Sequence, residues 1–203
     1  PTPTPTPTPT PGSPTPTPFP ATPIRASALV LRDDATPPIV ANARTMRMRS
    51  APHKGVPSGV TAPQFFSSSD PTLLGATGGG GTLTIYNPGG TEKVVLPLPA
   101  GRWLASGTFA RPSYRYRDPK RESGPITSIA IVNGRLSLSG KGGALYSLAN
   151  APQGTMAVRL RLGSGVEFCA AAPAKAPATT SDTTSKFVGA PNSPPPAVCP
   201  PVP

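Results

Sequence analysis

Histidine and cysteine are nearly missing from this chain: His53 stands alone, and Cys169 and Cys199 are the only thiols among 203 residues. A zinc site needs several nitrogen or sulfur ligands at short spacings, so that class is excluded by supply. A Ser-His-Asp arrangement would rest entirely on His53, which lies in a Pro- and Gly-rich stretch, and no Gly-x-Ser-x-Gly elbow occurs. Acids are scarce as well, 8 Asp and Glu against 19 Lys and Arg. The one adjacent pair, Asp33-Asp34, ends a predicted strand and cannot flank a glycosidic bond from two sides. A calcium ligand there competes with the commoner role of Asp at a strand exit, bonding its own backbone in a turn. Asp70, Glu92, Asp118, Glu122, Glu167 and Asp182 are scattered. Residues 134–142 look like a phosphate loop, but the glycine spacing is one too long and Gly142 follows Lys141 where a hydroxyl is required. No secretory signal and no membrane-length apolar run is present. The chain also lacks an initiator Met and begins inside a repeat, so it is expected to be a mature product or the C-terminal piece of a longer protein. An enzyme is not expected, nor a cofactor or a metal.

Proline is what the chain has in excess: 33 Pro beside 21 Gly. It collects at the two ends, and residues 1–20 read PTPTPTPTPTPGSPTPTPFP. Each Pro fixes its own φ and pushes its predecessor to extended geometry, so the tract is expected to run as a polyproline II rod of about 3 Å per residue. A Thr- and Pro-rich spacer is also the composition of an O-glycosylated stalk, with Thr2, Thr4, Thr6, Thr8, Thr10, Thr15 and Thr17 as candidate acceptors. The competing reading is a plain disordered linker. Three parts follow: a stalk over 1–23, a domain over 24–170, and a Pro/Ala-rich tail over 171–203. The two cysteines are expected to bond, tying that tail back, because an even count in an extracellular chain favours a disulfide.

Period-two alternation recurs in the middle block, and helical periodicity does not. Residues 45–49, 135–139 and 158–162 alternate apolar with basic or polar side chains, as strands with one buried face do. Asn133-Gly134 separates 126–132 from 135–139 and supplies the positive φ values of a type I′ hairpin turn. A second hairpin joins 82–86 to 93–98, and 27–32, 103–106, 114–117 and 145–148 are further candidates. About ten short strands without a helix predict an all-β fold, an antiparallel β-sandwich, with a β-barrel as the alternative. The stretch 50–81 is long and poor in regular signals. Its apolar anchors Phe65, Phe66, Leu73 and Leu74 are expected to tuck onto the sandwich edge rather than form an exposed patch.

The formal net charge of +11 makes the cations the informative population. Arg111, Arg115, Arg117, Lys120 and Arg121 surround Tyr114 and Tyr116 in RPSYRYRDPKRES, pairing guanidinium planes with aromatic faces. Such a patch suits a glycan, above all an anionic polysaccharide or lipopolysaccharide headgroup; a charged strand edge that deters aggregation is the plainer reading. Nucleic acid is disfavoured, since no nucleic-acid motif is visible. Arg47 and Arg49 each face one side of a strand, as do Arg159 and Arg161. If the two strands are neighbours, a basic stripe crosses one sheet, needing carboxylates, glycans or another subunit to neutralise it.

The Pro-Thr tract resembles the linkers of bacterial secreted cellulases and xylanases. The run through Gly81-Thr82-Leu83-Thr84-Ile85-Tyr86-Asn87, Val94 to Pro99, Tyr114-Arg115-Tyr116, Gln153-Gly154-Thr155-Met156 and Phe168-Cys169-Ala170, ending in Cys199-Pro200, is similar to uncharacterised C-terminal β domains of secreted bacterial proteins. That resemblance implies export and a terminal β domain, and no activity. Sequence thus predicts a secreted or cell-surface bacterial domain, non-catalytic, structural or adhesive, meeting other copies of itself, other surface proteins or glycans. The alternative is a carbohydrate-binding module with Trp103, Tyr114 and Tyr116 as stacking platforms, against which stands Trp103 as a core residue.

Overall fold

In the computed structural model the chain is described over residues 21–34, 44–52, 70–74, 79–108, 111–163 and 165–203. The stalk threonines, His53, Phe65 and Phe66 lie outside these residues. Two antiparallel-rich sheets face each other and do not close into a barrel, as a β-sandwich requires. The smaller sheet holds β1 (Thr22–Pro23), β4 (Gly81–Tyr86), β5 (Lys93–Leu98), β10 (Thr155–Leu162) and β11 (Glu167–Pro173), in the order β1-β11-β10-β4-β5. The larger holds β2 (Ala26–Asp33), β3 (Arg44–Ser50), β6 (Trp103–Thr108), β7 (Arg111–Arg117), β8 (Ile126–Val132), β9 (Arg135–Lys141), β12 (Asp182–Thr183) and β13 (Lys186–Val188), in the order β12-β13-β2-β3-β9-β8-β7-β6.

Alternation sets the faces. Leu29 and Leu31, Met46 and Met48, Ile129 and Ile131, Leu136 and Leu138 point inward from the larger sheet and are buried. Leu83 and Ile85, Leu96 and Leu98, Met156 to Leu162 at every second position, and Phe168 meet them from the smaller one. Each such aliphatic side chain contributes roughly 1.5–3 kcal/mol on leaving water. The Asn133-Gly134 turn has φ of 50° and 71°, the left-handed pair a type I′ hairpin demands.

Several expectations need correction. Residues 145–148 form no strand: Leu145, Tyr146 and Leu148 are buried in the core, and the Leu148 amide donates to the Asp33 carboxylate at 3.0 Å rather than to a neighbouring strand. The stretch closes one end of the sandwich. Thr22 and Pro23, read as the end of the stalk, pair in parallel with Phe168 and Cys169. Residues 171–203, read as a tail, are woven into the body: β13 pairs with β2, and Phe187 is fully buried in the core. Proline density misled there, because Pro is tolerated at strand ends and in straps over a sheet. Leu74, expected to tuck in, is 81 % exposed, and Leu73 is 37 % exposed.

Cys169 and Cys199 are bonded, with Cα atoms 5.7 Å apart. The bond pins residues after Pro196 over the outer face of the smaller sheet. Tyr86, outward-facing on β4, is fully covered there and its hydroxyl donates to the Pro200 carbonyl at 2.7 Å. Arg159, outward on β10, donates to the same carbonyl at 2.6 Å and to Glu167 at 2.9 Å.

Candidate polyanion-binding face

The larger sheet turns its other face outward, and every second position of its strands is displayed there. β2 presents Val30 and Arg32, β3 presents Thr45, Arg47 and Arg49, and β9 presents Arg135, Ser137, Ser139 and Lys141. β8 presents Ser128, Ala130 and Val132, β7 presents Arg115 and Arg117, and β13 adds Lys186. None of these positions is Asp or Glu. Among the described residues the ion pairs are Arg44–Asp33, Arg102–Glu122 and Arg159–Glu167, and none draws on this face. The net positive charge is therefore partly segregated onto one side of the molecule, where it raises the local potential.

Register explains why the sheet tolerates this. Arg47 stands opposite Val30 and Ser139, Arg49 opposite Ala28 and Ser137, Arg117 opposite Ser128, and Arg115 opposite Ala130. Only Lys186 and Arg32 are directly opposed cations, at the far side. Small residues separate the rest, so direct repulsion across the ladder is avoided.

The same register lines these residues up in rows across the sheet. Reading across β3, β9, β8 and β7, one row runs Arg47, Ser139, Ser128, Arg117, and the next runs Arg49, Ser137, Ala130, Arg115. Two pairs of arginines thus border a floor of serine and alanine. Three depressions lie along it, of about 980, 620 and 410 Å³. The first reaches Arg49 and Arg135, the second Arg32, Arg47 and Lys141, the third Arg115 and Arg117. Ala130 lines both the first and third, and Thr127 both the second and third, so the three adjoin, and together they are called the trough, the second reaching past Arg47 to Val30 and Arg32 on β2. The floor hydroxyls are mutually ordered, with Ser128 Oγ and Ser139 Oγ 2.8 Å apart.

The sequence patch at 111–123 is only half upheld. Arg115, Arg117 and Lys120 are exposed, but Tyr114 and Tyr116 are 2 % and 1 % exposed and face the core. Strand alternation requires it: in Tyr-Arg-Tyr-Arg the arginines and tyrosines must take opposite faces. Burial raises both phenol pKa values, with the Asp70 charge adding at Tyr114 and the Asp118 charge at Tyr116. Arg111 lies on β7. Arg121 adopts φ of 61° in the turn after β7, where its amide donates to Asp118 O at 3.0 Å. Trp103 is 4 % exposed, edge-on to Tyr116 with ring centroids 5.5 Å apart, and its indole N–H donates to Leu98 O at 3.3 Å. All three rings proposed as stacking platforms are core residues and present no exposed face to a sugar.

The two arginine pairs, which would make one stripe only if their strands were neighbours, lie on different sheets, β3 on the larger and β10 on the smaller. Asp33 makes neither a calcium site nor a simple turn. Its carboxylate accepts from Arg44 Nε at 3.0 Å, Ser147 Oγ at 3.2 Å and the Leu148 amide. Burial alone would push its pKa up, but these donors and the Arg44 charge hold it below the usual carboxylate value. Asp118 is likewise depressed against burial, by the Ser123 and Glu122 amides and the Arg102 charge. Among the described residues no three His, Cys, Asp or Glu side chains gather, and no helix is long and apolar enough to cross a membrane.

Arg32, Arg135, Lys141 and Lys186 were not singled out from sequence. The alternation Arg-Leu-Ser-Leu-Ser-Gly-Lys at 135–141, aligned through its Asn-Gly turn against Ser128 and Ala130, carried half of the floor. The pairing of β9 with β3 spans about ninety residues and leaves no local trace. Compared with known proteins, the chain matches no family model, and no significant similarity to a curated protein or a solved structure was found.

Proposed function

We propose that this chain is a non-catalytic extracellular attachment domain that holds onto an anionic surface polymer through the outer face of its larger sheet. The observation that carries the reading is that face itself: Arg47 and Arg49 on β3, Arg115 and Arg117 on β7, small residues between, and no carboxylate at its strand positions. Exposed cations without protein partners keep their charge available, and a repeating anion engages several at once, so weak single contacts sum to useful avidity. The disulfide and the Thr-Pro tract support a position outside the cytoplasm, where thiols oxidise and stalks are glycosylated. On this reading the tract is a glycosylated spacer that sets the body off from whatever precedes it.

Passing the full chain over carboxylated, sulfated and neutral dextran at physiological ionic strength tests the proposal. Retention on the charged matrices, release by added salt, and earlier release of R47S/R49S and R115S/R117S are expected. Equal passage over charged and neutral matrices would refute it. Intact mass of natively produced material tests the stalk: hexose-sized increments above the 20.6 kDa chain are expected, and a bare mass removes the glycan from the reading.

A further inference from the structure

We infer that the trough takes one linear chain of acidic polysaccharide, a uronate polymer, laid lengthwise along the strands between the two arginine borders; this rests on the polyanion reading above. Three features select that ligand. The first is width. From β3 to β7 is three strand steps, about 14 Å between backbones, and guanidinium stems reach inward from both sides. That backbone spacing suits a single polymer chain with cations on both flanks, whereas a nucleic-acid duplex is broader than the distance between the two bordering strands.

The second is the floor. Ser128, Ser137 and Ser139 offer hydroxyls to a hydroxyl-rich ligand, and among the described residues no exposed aromatic ring stands on the floor to bind a neutral sugar by stacking. An acidic peptide would want apolar pockets for its uncharged side chains, and alanine and serine provide none. The third is the arrangement of charge. Arg47 and Arg49 on one border, and Arg115 and Arg117 on the other, are each two residues apart, about 7 Å. That lies between the advance of one sugar ring and of two along a chain, a difference that long arginine side chains can take up. Guanidinium groups also match carboxylates with two parallel hydrogen bonds, which favours a uronate over a diffuse charge. Lys141 and Arg135 close the two ends of β9, giving a trough about 20 Å long, room for several sugar units.

Fluorescence polarisation of the full chain with a labelled oligouronate tests this. R47S/R117S removes one arginine from each border in the same row, and A130W fills the floor without changing charge. K175S/R161S removes as much charge as R47S/R117S from positions off the trough, and equal urea midpoints certify folding. Weakening of about tenfold is expected for R47S/R117S. A130W should weaken binding comparably, and K175S/R161S less than twofold. Competition by unlabelled oligouronate should exceed that by duplex DNA, and neutral dextran should not compete. Salt-sensitive binding that ignores A130W and falls equally in K175S/R161S would overturn the trough while leaving the polyanion reading standing. Binding to no polyanion would overturn both.

Discussion

Removing the Cys169–Cys199 bond by C169A/C199A should cost the body about 3.6 kcal/mol at 25 °C, from the entropy released when a 30-residue loop opens in the unfolded chain. For a domain of this size that is a fall in melting temperature of about 7–14 °C. The native side changes less, because β13 stays paired with β2 and Phe187 stays in the core between the two cysteines. Trp103 is the only tryptophan, and it is buried against Tyr116, so its fluorescence follows core disruption in urea without a label. The variant should unfold at a lower urea midpoint than oxidised wild type and, since its unfolded chain is less compact, with a somewhat steeper slope. A loss below about 1 kcal/mol would refute the reasoning, since loop closure then could not be what the bond contributes. Y86F serves as the local control: it deletes the hydrogen bond donated to Pro200 O and the one accepted from Arg159 Nε, and should cost about 1–2 kcal/mol.

Phe187→Ala should destabilise by about 3–5 kcal/mol in the same assay, which a detachable tail would not show. Asp33 has a native pKa below its unfolded value, so its contribution is full above about pH 4 and disappears as pH falls through the native pKa. Asp33→Asn should therefore cost about 2–3 kcal/mol at neutral pH and flatten that acid limb, read from urea midpoints between neutral and strongly acid buffers. Gly134→Ala, at φ of 71°, should cost about 1 kcal/mol and leave the trough's affinity for oligouronate unchanged.

Local signals carried most of the fold. The Asn-Gly hairpin, the alternation in 82–86 and 93–98, and the pairing of the two cysteines all appear as read, because each depends on neighbours in sequence or on simple counting. What failed was decided at long range. Proline density concealed β1 and β13, whose pairing partners lie far along the chain. Residues 145–148 have strand composition, yet they turn to deliver the Leu148 amide to Asp33. The Arg-Tyr segment suggested an aromatic-basic patch, but the period of a strand splits the two residue types onto opposite faces. The trough was half legible for the same reason: β8 and β9 share a hairpin, whereas β3 and β7 reach it only through tertiary register.

The first strand has a mechanical consequence. Any tension borne by the chain ahead of Ala21 enters the body through Thr22–Pro23, which lies parallel to β11 and is followed by the Ile24 amide bonding Cys169 O at 2.7 Å. Ile24 itself is anchored in the core. The load is thus handed to the very strand that a covalent crosslink braces against the far end of the chain, so a tug on the tether is resisted at β11 before it can unravel the sheets behind it.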